Sequence, residues 1–295
     1  MSDFLNPQPP ARRKLREALA RGMVIAPGAY DALSARMIDD AGFDACYLTG
    51  FGTTASLLGR PDIGLVSQSE MASTVRRVAA AIDVPVIADA DTGYGNTLNV
   101  VRTVHEYEQA GASAIQLEDQ VFPKRCGHMD GKEVVDLGEA VSKIRAAVAA
   151  RTDPDFQVIA RTDIAAIEGV DAAIDRAKAF ADAGADVLFV EAPPTRADIE
   201  KVANSLSDHT LLFNWVEGGK TEGIDIDVIR DLGFRLVIFP ISTLLAATHA
   251  LRDLLTTLKS TSSTDAARAR MDSFDDVVQI VGLDEVRQIE ESFSR

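Results

Sequence analysis

Val84-Pro85-Val86-Ile87-Ala88 is a continuous apolar run, and Asp89-Ala90-Asp91 follows it directly. Residues 98–110 then read as a helix closed by Gly111, and a second run, Ala114-Ile115-Gln116-Leu117, ends in Glu118-Asp119. Short apolar runs without strict polar alternation suit parallel strands covered on both faces. Each run here ends in acid and is followed by a helix of opposite direction.

The same unit recurs on both sides. Upstream, Met23-Val24-Ile25-Ala26 precedes a helical stretch at 29–41, and Ala45-Cys46-Tyr47-Leu48 precedes one at 68–81 after a loop containing Gly and Pro. Downstream, the run at 114–117 is followed by a helix at 137–150. Strands at 157–160, 186–190, 210–213 and 236–239 pair with helices at 170–183, 196–206, 226–232 and 243–259. Ala41-Gly42, Ala110-Gly111 and Ala183-Gly184 mark helix ends, where glycine accepts the left-handed cap. Eight strand-then-helix units in roughly 250 residues predict a (β/α)8 TIM barrel, an α/β fold. A doubly wound open sheet is the structural alternative, but no glycine-rich dinucleotide turn follows the first strand. Residues 1–259 are expected to form the barrel with an N-terminal helix at 11–21. Residues 260–295 are expected to be a C-terminal helical extension of the same domain.

Composition narrows the function classes. Hydrophobic residues make up 46% and charged residues 25% of 295, as in an ordinary globular protein. A net charge of -15 argues against nucleic acid or an anionic membrane as partner. Two cysteines, Cys46 and Cys126, make no disulfide framework. There is no apolar signal core near the N-terminus and no run long enough to cross a bilayer. The expectation is a soluble, cytoplasmic protein that acts on a small molecule.

The C-terminal strand ends of such a barrel form its active site. Thr49-Gly50 follows strand two, Asp89-Ala90-Asp91 strand three, and Glu118-Asp119 strand four. Arg161-Thr162-Asp163 follows strand five, Glu191 strand six, and Asn214 strand seven. So many carboxylates on one rim repel one another unless a cation sits among them. Mg2+, which takes carboxylate, water and substrate oxygens, is the expected ion, with Mn2+ as its substitute. Asp89 and Asp91 are two apart, so on a regular strand they point the same way. Solvation of strand ends is the plainer explanation of the acids, and it suffices for one or two of them. Arg161 among acids is either a structural counter-ion or an oxyanion partner. Asn214 reads equally well as a polar loop residue.

Lys124-Arg125-Cys126-Gly127-His128 places a thiol among cations. Nearby positive charge favours the thiolate, and Gly127 lets the backbone bend. His128 is the only histidine near the proposed chemistry. No histidine spacing resembles a zinc site.

Together these segments resemble the isocitrate lyase/phosphoenolpyruvate mutase superfamily, in its acid-lyase branch of 2-methylisocitrate and 2,3-dimethylmalate lyases. The resemblance runs from about Pro27 to the C-terminal helices. It is carried by Tyr47-Leu48-Thr49-Gly50, Gly59-Arg60-Pro61-Asp62, Asp89 to Gly95, Glu118-Asp119-Gln120, Lys124 to His128, Ala160-Arg161-Thr162-Asp163 and Glu191-Ala192.

The resemblance implies a homo-oligomer, a tetramer built as a dimer of dimers, whose last helix swaps between subunits. It implies Mg2+ on Asp89 and Asp91, with Asp62, Glu118 and waters around it. Thr49, Gly50, Phe51 and Arg161 would cradle a 2-oxo-acid portion, with Glu191, Asn214 and Gly127 also at the substrate. Cys126 would be the general acid, with Lys124, His128 and Tyr47 assisting. The implied activity is carbon–carbon cleavage of a substituted malate. Oxaloacetate hydrolysis or decarboxylation, methylisocitrate cleavage, and a binding barrel without catalysis are the alternatives.

Two departures concern specificity. In methylisocitrate-cleaving members the strand-eight segment carries an arginine for a third carboxylate. Here it reads Phe239-Pro240-Ile241-Ser242-Thr243-Leu244-Leu245. Trp215 follows Asn214, and an indole in place of a cation favours a smaller or alkylated dicarboxylate. Arg270 is the one charge the C-terminal helices are expected to bring back.

Overall fold

The structure is a computed structural model that describes residues 10–125, 131–219 and 224–294. Cys126, Gly127 and His128 lie outside the described residues. The strands are β1 (Val24–Ala29), β2 (Cys46–Leu48), β3 (Val86–Asp89), β4 (Ala114–Glu118), β5 (Gln157–Thr162), β6 (Val187–Val190), β7 (Leu211–Asn214) and β8 (Leu236–Phe239). They close into a barrel in chain order. β1 pairs with β8 in parallel, Val24 opposite Leu236, which rules out the open doubly wound sheet.

The helices are α1 (Arg12–Arg21), α2 (Ala32–Asp40), α3 (Gly50–Leu58), α4 (Gln68–Ala81), α5 (Thr97–Ala110), α6 (Leu137–Ala150) and α7 (Ala165–Glu168). They continue with α8 (Val170–Asp182), α9 (Arg196–Ser205), α10 (Ile226–Asp231), α11 (Ser242–Thr261), α12 (Phe274–Ile280) and α13 (Leu283–Phe293). Gly42, Gly111 and Gly184 adopt the left-handed conformation expected of them. Side-chain caps mark several helix starts. Asn96 accepts from Leu98 and Asn99 at α5, and Asp136 accepts from Glu139 at α6.

Two hydrophobic layers result. An outer one lies between strands and helices, with Tyr107, Phe156 and Phe180 fully buried. An inner one fills the lower barrel, where Ala26, Ile87, Ile159, Phe189 and Leu212 meet Leu15 and Leu19 of α1. α1 is fastened beneath the barrel: Arg12 donates to the carbonyl of Ala112 at 3.0 Å and to Asp153 at 2.9 Å. The bottom is therefore packed solid, and the C-terminal rim is the open end.

α3 departs from the loop expected at Gly50 to Gly64. Its two early glycines and paired threonines carry little helix propensity. Thr49 nevertheless caps it by accepting from the amide of Gly52 at 3.2 Å. At the other end of the chain, α11 has no buried residue and exposes Leu251 and Leu255. No helix among the described residues is long and apolar enough to cross a membrane.

Candidate active site

The rim encloses a cavity of about 320 Å³. Its floor is Tyr47, the top of the inner hydrophobic layer, which donates from its hydroxyl to Gln116 Oε1 at 3.1 Å. Burial, with Asp89 next, raises the Tyr47 pKa well above the phenol range, so at neutral pH it is a donor and not a base.

One wall is acidic. Asp89 ends β3, and Asp91 lies in the following turn with φ 48, a left-handed conformation for a non-glycine residue. The two carboxylates therefore converge through a strained turn and not by the strand alternation expected of them. Both point at Gly50. A Cβ on Gly50 would stand 2.6 Å from Asp89 Oδ2 and 3.5 Å from Asp91 Oδ1, so any larger residue would push the Asp89 carboxylate aside. Gly50 N, in the first turn of α3, donates to Asp89 Oδ2 at 3.2 Å, while Asp91 N donates to Oδ1 at 3.0 Å. Asp62 and Glu118 complete the wall, and Lys124 Nζ contacts Asp62 Oδ2 at 2.6 Å and Asp91 Oδ1 at 2.8 Å.

The adjoining wall is built on Arg161, which lies within β5 and not after it. Its register neighbours are Glu118 on β4 and Phe189 on β6. Its guanidinium sits 5.3 Å over the Phe189 ring. Asp163 grips the fork at 2.9 and 3.0 Å, Glu118 stands 3.3 Å from Nη1, and Glu191 3.6 Å from Nη2. Asn214 donates to Glu191 at 3.2 Å. Lys132 gives Asp163 a second cation at 2.8 Å. Lys132 was not anticipated, because nothing in the local sequence around it signals a partner on another strand.

Charge is unbalanced on the acid wall. Burial pushes Asp91 up to about 7, with Lys124 pulling it down and Asp89 and Asp62 adding to the rise. Burial likewise raises Glu118 well above the carboxylate range, against the pull of Arg161. Glu118 Oε1, Gln116 Nε2 and Asn214 Oδ1 are buried without a hydrogen-bond partner among the described residues. Unpaired buried polar atoms are costly and call for a polar guest.

No three His, Cys, Asp or Glu side chains among the described residues form a ready metal cage. The oxygen-only donors fit an ion that keeps water or substrate oxygens in its shell, as Mg2+ does.

Asp163 itself is held below the usual carboxylate range: burial pushes it up, but Arg161 and Lys132 outweigh that. A depressed carboxylate pKa contributes stability above its unfolded value, and that contribution is lost as pH falls through the folded value. Asp163→Asn is therefore expected to melt well below wild type at neutral pH. The gap should persist down to about pH 4 and close only in more acid buffer. Thermal melts from pH 3 to 8 check this, and a gap that instead widens in acid contradicts it.

The remaining expected residues divide. Thr49, Phe51, Asp62, Glu191 and Asn214 line the cavity. Trp215 does not. One residue past inward-facing Asn214, it points out of the barrel and stacks on Phe239 at 5.5 Å. Arg270, exposed after α11, pairs with Asp253 at 2.6 Å and does not reach the cavity of its own chain. The β7–β8 side is instead lined by Val216, Glu217, Ile238, Pro240 and Ile241, of which Pro240 and Ile241 belong to the strand-eight segment tied to specificity in the sequence. Asp119 faces away from the cavity, where it accepts from Asp163 N at 2.9 Å and pairs with Arg176 at 3.1 Å. Cys46 is fully buried and its thiol is pushed up to about 12 by burial, an inert packing residue.

Known proteins resemble this chain in sequence and in fold. A 2,3-dimethylmalate lyase of Eubacterium barkeri is 44% identical over 282 residues, 95% of this chain and 97% of that one. A probable 2-methylisocitrate lyase of Corynebacterium glutamicum is 44% identical over 261 residues, 88% of this chain and 85% of the other. Among solved structures, oxaloacetate acetylhydrolase in complex with 3,3-difluorooxalacetate superposes with a TM-score of 0.93 at 35% identity, covering 97% of this chain and 99% of that one. Phosphonopyruvate hydrolase in complex with oxalate and Mg2+ superposes with a TM-score of 0.88 at 31% identity, covering 97% and 100%. The family model described as phosphoenolpyruvate phosphomutase matches residues 15–259. With the barrel, the rim and these relatives in agreement, the chain belongs to the phosphoenolpyruvate phosphomutase family, within the isocitrate lyase/phosphoenolpyruvate mutase superfamily.

Proposed function

We propose that this chain is a Mg2+-dependent carbon–carbon lyase that cleaves an alkylated malate, such as 2,3-dimethylmalate, to a 2-oxo acid and a carboxylic acid. The observation that carries the reading is the division of the cavity. An acid wall and a fixed guanidinium adjoin at depth, meeting at Glu118 and Arg161, while the β7–β8 side offers Val216, Ile238 and Ile241. A cavity of about 320 Å³ suits a small dicarboxylate with an alkyl branch.

Asp89 and Asp91 would hold the ion, with Asp62 and Glu118 beside them. When bound, it would orient the 2-oxo-acid portion and offset negative charge on its oxygens. Arg161, held by Asp163, donates to the same portion from the other wall. Thr49, Gly50 and Phe51 enclose it from α3. Glu118, whose ionised form a bound ion beside it would favour against the effect of burial, receives the substrate's hydroxyl proton at its unpartnered Oε1. The O–H pair becomes the new C=O, the C2–C3 bond breaks, and its electrons pass into the enediolate of the leaving acid. Cys126 gives its proton to that carbon and is left as thiolate, stabilised by the basic residues of its loop. Tyr47 remains protonated as a donor on the floor.

Glu217 is the only charged residue on the β7–β8 side among the described lining residues, and it accepts from Ser242. A third carboxylate placed there would meet this acid, which disfavours methylisocitrate. The similarity to oxaloacetate acetylhydrolase supports a second reading, hydrolysis of oxaloacetate on the same rim.

A substrate panel with Mg2+ separates them: 2,3-dimethylmalate, other alkylmalates, methylisocitrate and oxaloacetate, with products identified. Pyruvate from an alkylmalate is expected, with kcat lowered at least about a hundredfold in Cys126→Ala. Oxalate and acetate from oxaloacetate alone would replace the lyase reading with the hydrolase.

The same chain presents an apolar groove of about 810 Å³ between β1, α2 and α11, and an α11 without buried residues. A second copy supplying its helices is the occupant we propose, within a tetramer. Light scattering should give four times the 31.6 kDa chain mass, and Leu251→Glu with Leu255→Glu should reduce it. A monomeric wild type at micromolar concentration would contradict this.

A further inference from the structure

We infer that Lys124 is a resident cation of the acid wall, that a divalent ion taken up through Asp89 and Asp91 displaces its ammonium, and that the freed ammonium then faces the substrate. This rests on the lyase reading above, which assigns the acid wall to the ion.

The placement of Lys124 is unusual for a lysine. Its side chain is 3% exposed and ends between two carboxylates, 2.6 Å from Asp62 and 2.8 Å from Asp91. Lysine is almost never fully buried unless paired. Here the pairing is with residues expected to serve a different cation. A divalent ion held by the same carboxylates would lie within a few ångströms of the ammonium. Two cations that close repel strongly in a buried site. One must yield, and the lysine is the one on a flexible stem.

The surroundings let it yield without unfolding anything. The backbone beside Lys124 is clamped: Gln120 donates to the carbonyl of Arg125 at 2.8 Å and accepts from its amide at 2.9 Å. Val121 N donates to Glu133 O at 2.8 Å across the base of the same segment. Lys124 also lines the cavity, so rotation about its side-chain bonds carries Nζ from the acid wall into the substrate volume. Without the ion, Lys124 moderates the repulsion of the acids. With it, the positive charge is passed to the opening where a carboxylate or developing oxyanion will sit. Ion loading and substrate affinity become one linked equilibrium.

Calorimetric titration of Mg2+ into metal-free protein tests this. In Lys124→Met, Mg2+ should bind about tenfold more tightly than in wild type. The variant should melt lower in EDTA, with the difference closing at saturating Mg2+. Equal or weaker Mg2+ binding by the variant overturns the proposal. A second measurement needs no variant: reductive methylation of wild-type lysines, read by peptide mass spectrometry without substrate. Mg2+ should raise labelling of Lys124 several-fold, and unchanged or reduced labelling overturns the proposal even if Lys124→Met does not fold. The two readings fail differently. If wild type binds no Mg2+, the ion assignment falls and this inference with it. If wild type binds and Asp91→Asn does not, yet Lys124→Met matches wild type, only this inference falls.

Discussion

Asp91→Asn lowers kcat/KM by about a thousandfold or more and weakens Mg2+ binding by at least about a hundredfold, while the barrel still folds. The size of the effect follows from where Asp91 sits. It is buried, converges with Asp89 on Gly50, and lies on a wall with too much negative charge for its one lysine. Stabilisation of oxygen charge by a bound ion is worth several kcal/mol, and each 1.4 kcal/mol is about a factor of ten in rate. Asparagine keeps the shape and removes the charge, so loss of activity with an unchanged circular dichroism spectrum isolates the electrostatic part. Steady-state assays across Mg2+ concentrations, with calorimetry on the same samples, decide it. A variant that turns over at the wild-type rate in EDTA would show that Asp91 holds no catalytic ion.

Arg161→Lys is the second. It should lower kcat/KM by about 10²- to 10³-fold with only a modest loss of thermal stability. Lysine keeps the positive charge that Glu118, Asp163 and Glu191 require, but it cannot reproduce the fork that Asp163 grips at 2.9 and 3.0 Å. Arg161→Met behaves differently: it leaves three buried carboxylates without their shared cation and should cost about 3–5 kcal/mol of stability. Comparing the two separates positioning from folding. If Arg161→Lys retains full kcat, Arg161 is a counter-ion alone, the plainer of the two roles its place in the sequence allows.

Much of this architecture was legible from the chain because strand and helix signals repeat without interference. The run at Val84 to Ala88, the acids after it and the Gly111 cap each point to one local structure, and the barrel needs only that they alternate. Helix α4 shows it well: Ser67 and Glu70 form a capping box at the first residues of the amphipathic stretch. α3 was hidden because Gly50 and Gly52 argue against helix locally. They are there for close approach to Asp89 and Tyr30, a requirement set by another strand and another loop.

The site was legible where inward-facing residues follow the strand. Asp89, Glu118, Arg161, Glu191 and Asn214 all reach the cavity wall or its floor contacts. Trp215 was misplaced by a single residue of register: Asn214 takes the inward position, so its neighbour must face out. Lys132 and Asp163, which grip each other across 31 residues of chain, could not be paired by any local pattern. Arg270 has a nearer acid in Asp253.

The packed lower barrel makes the site a cul-de-sac. With Leu15 and Leu19 sealing the space beneath Tyr47, nothing can leave by the back, so both products must share the doorway by which substrate came. They are not stacked equally. On the proposed placement, the 2-oxo acid, against Arg161 and the acid wall, would lie behind the carboxylic acid at Val216 and Ile241. Departure is therefore ordered, outer product first. In product-inhibition kinetics the 2-oxo acid should compete with substrate and the carboxylic acid should not, a traffic rule imposed on the chemistry by one helix on the far side of the molecule.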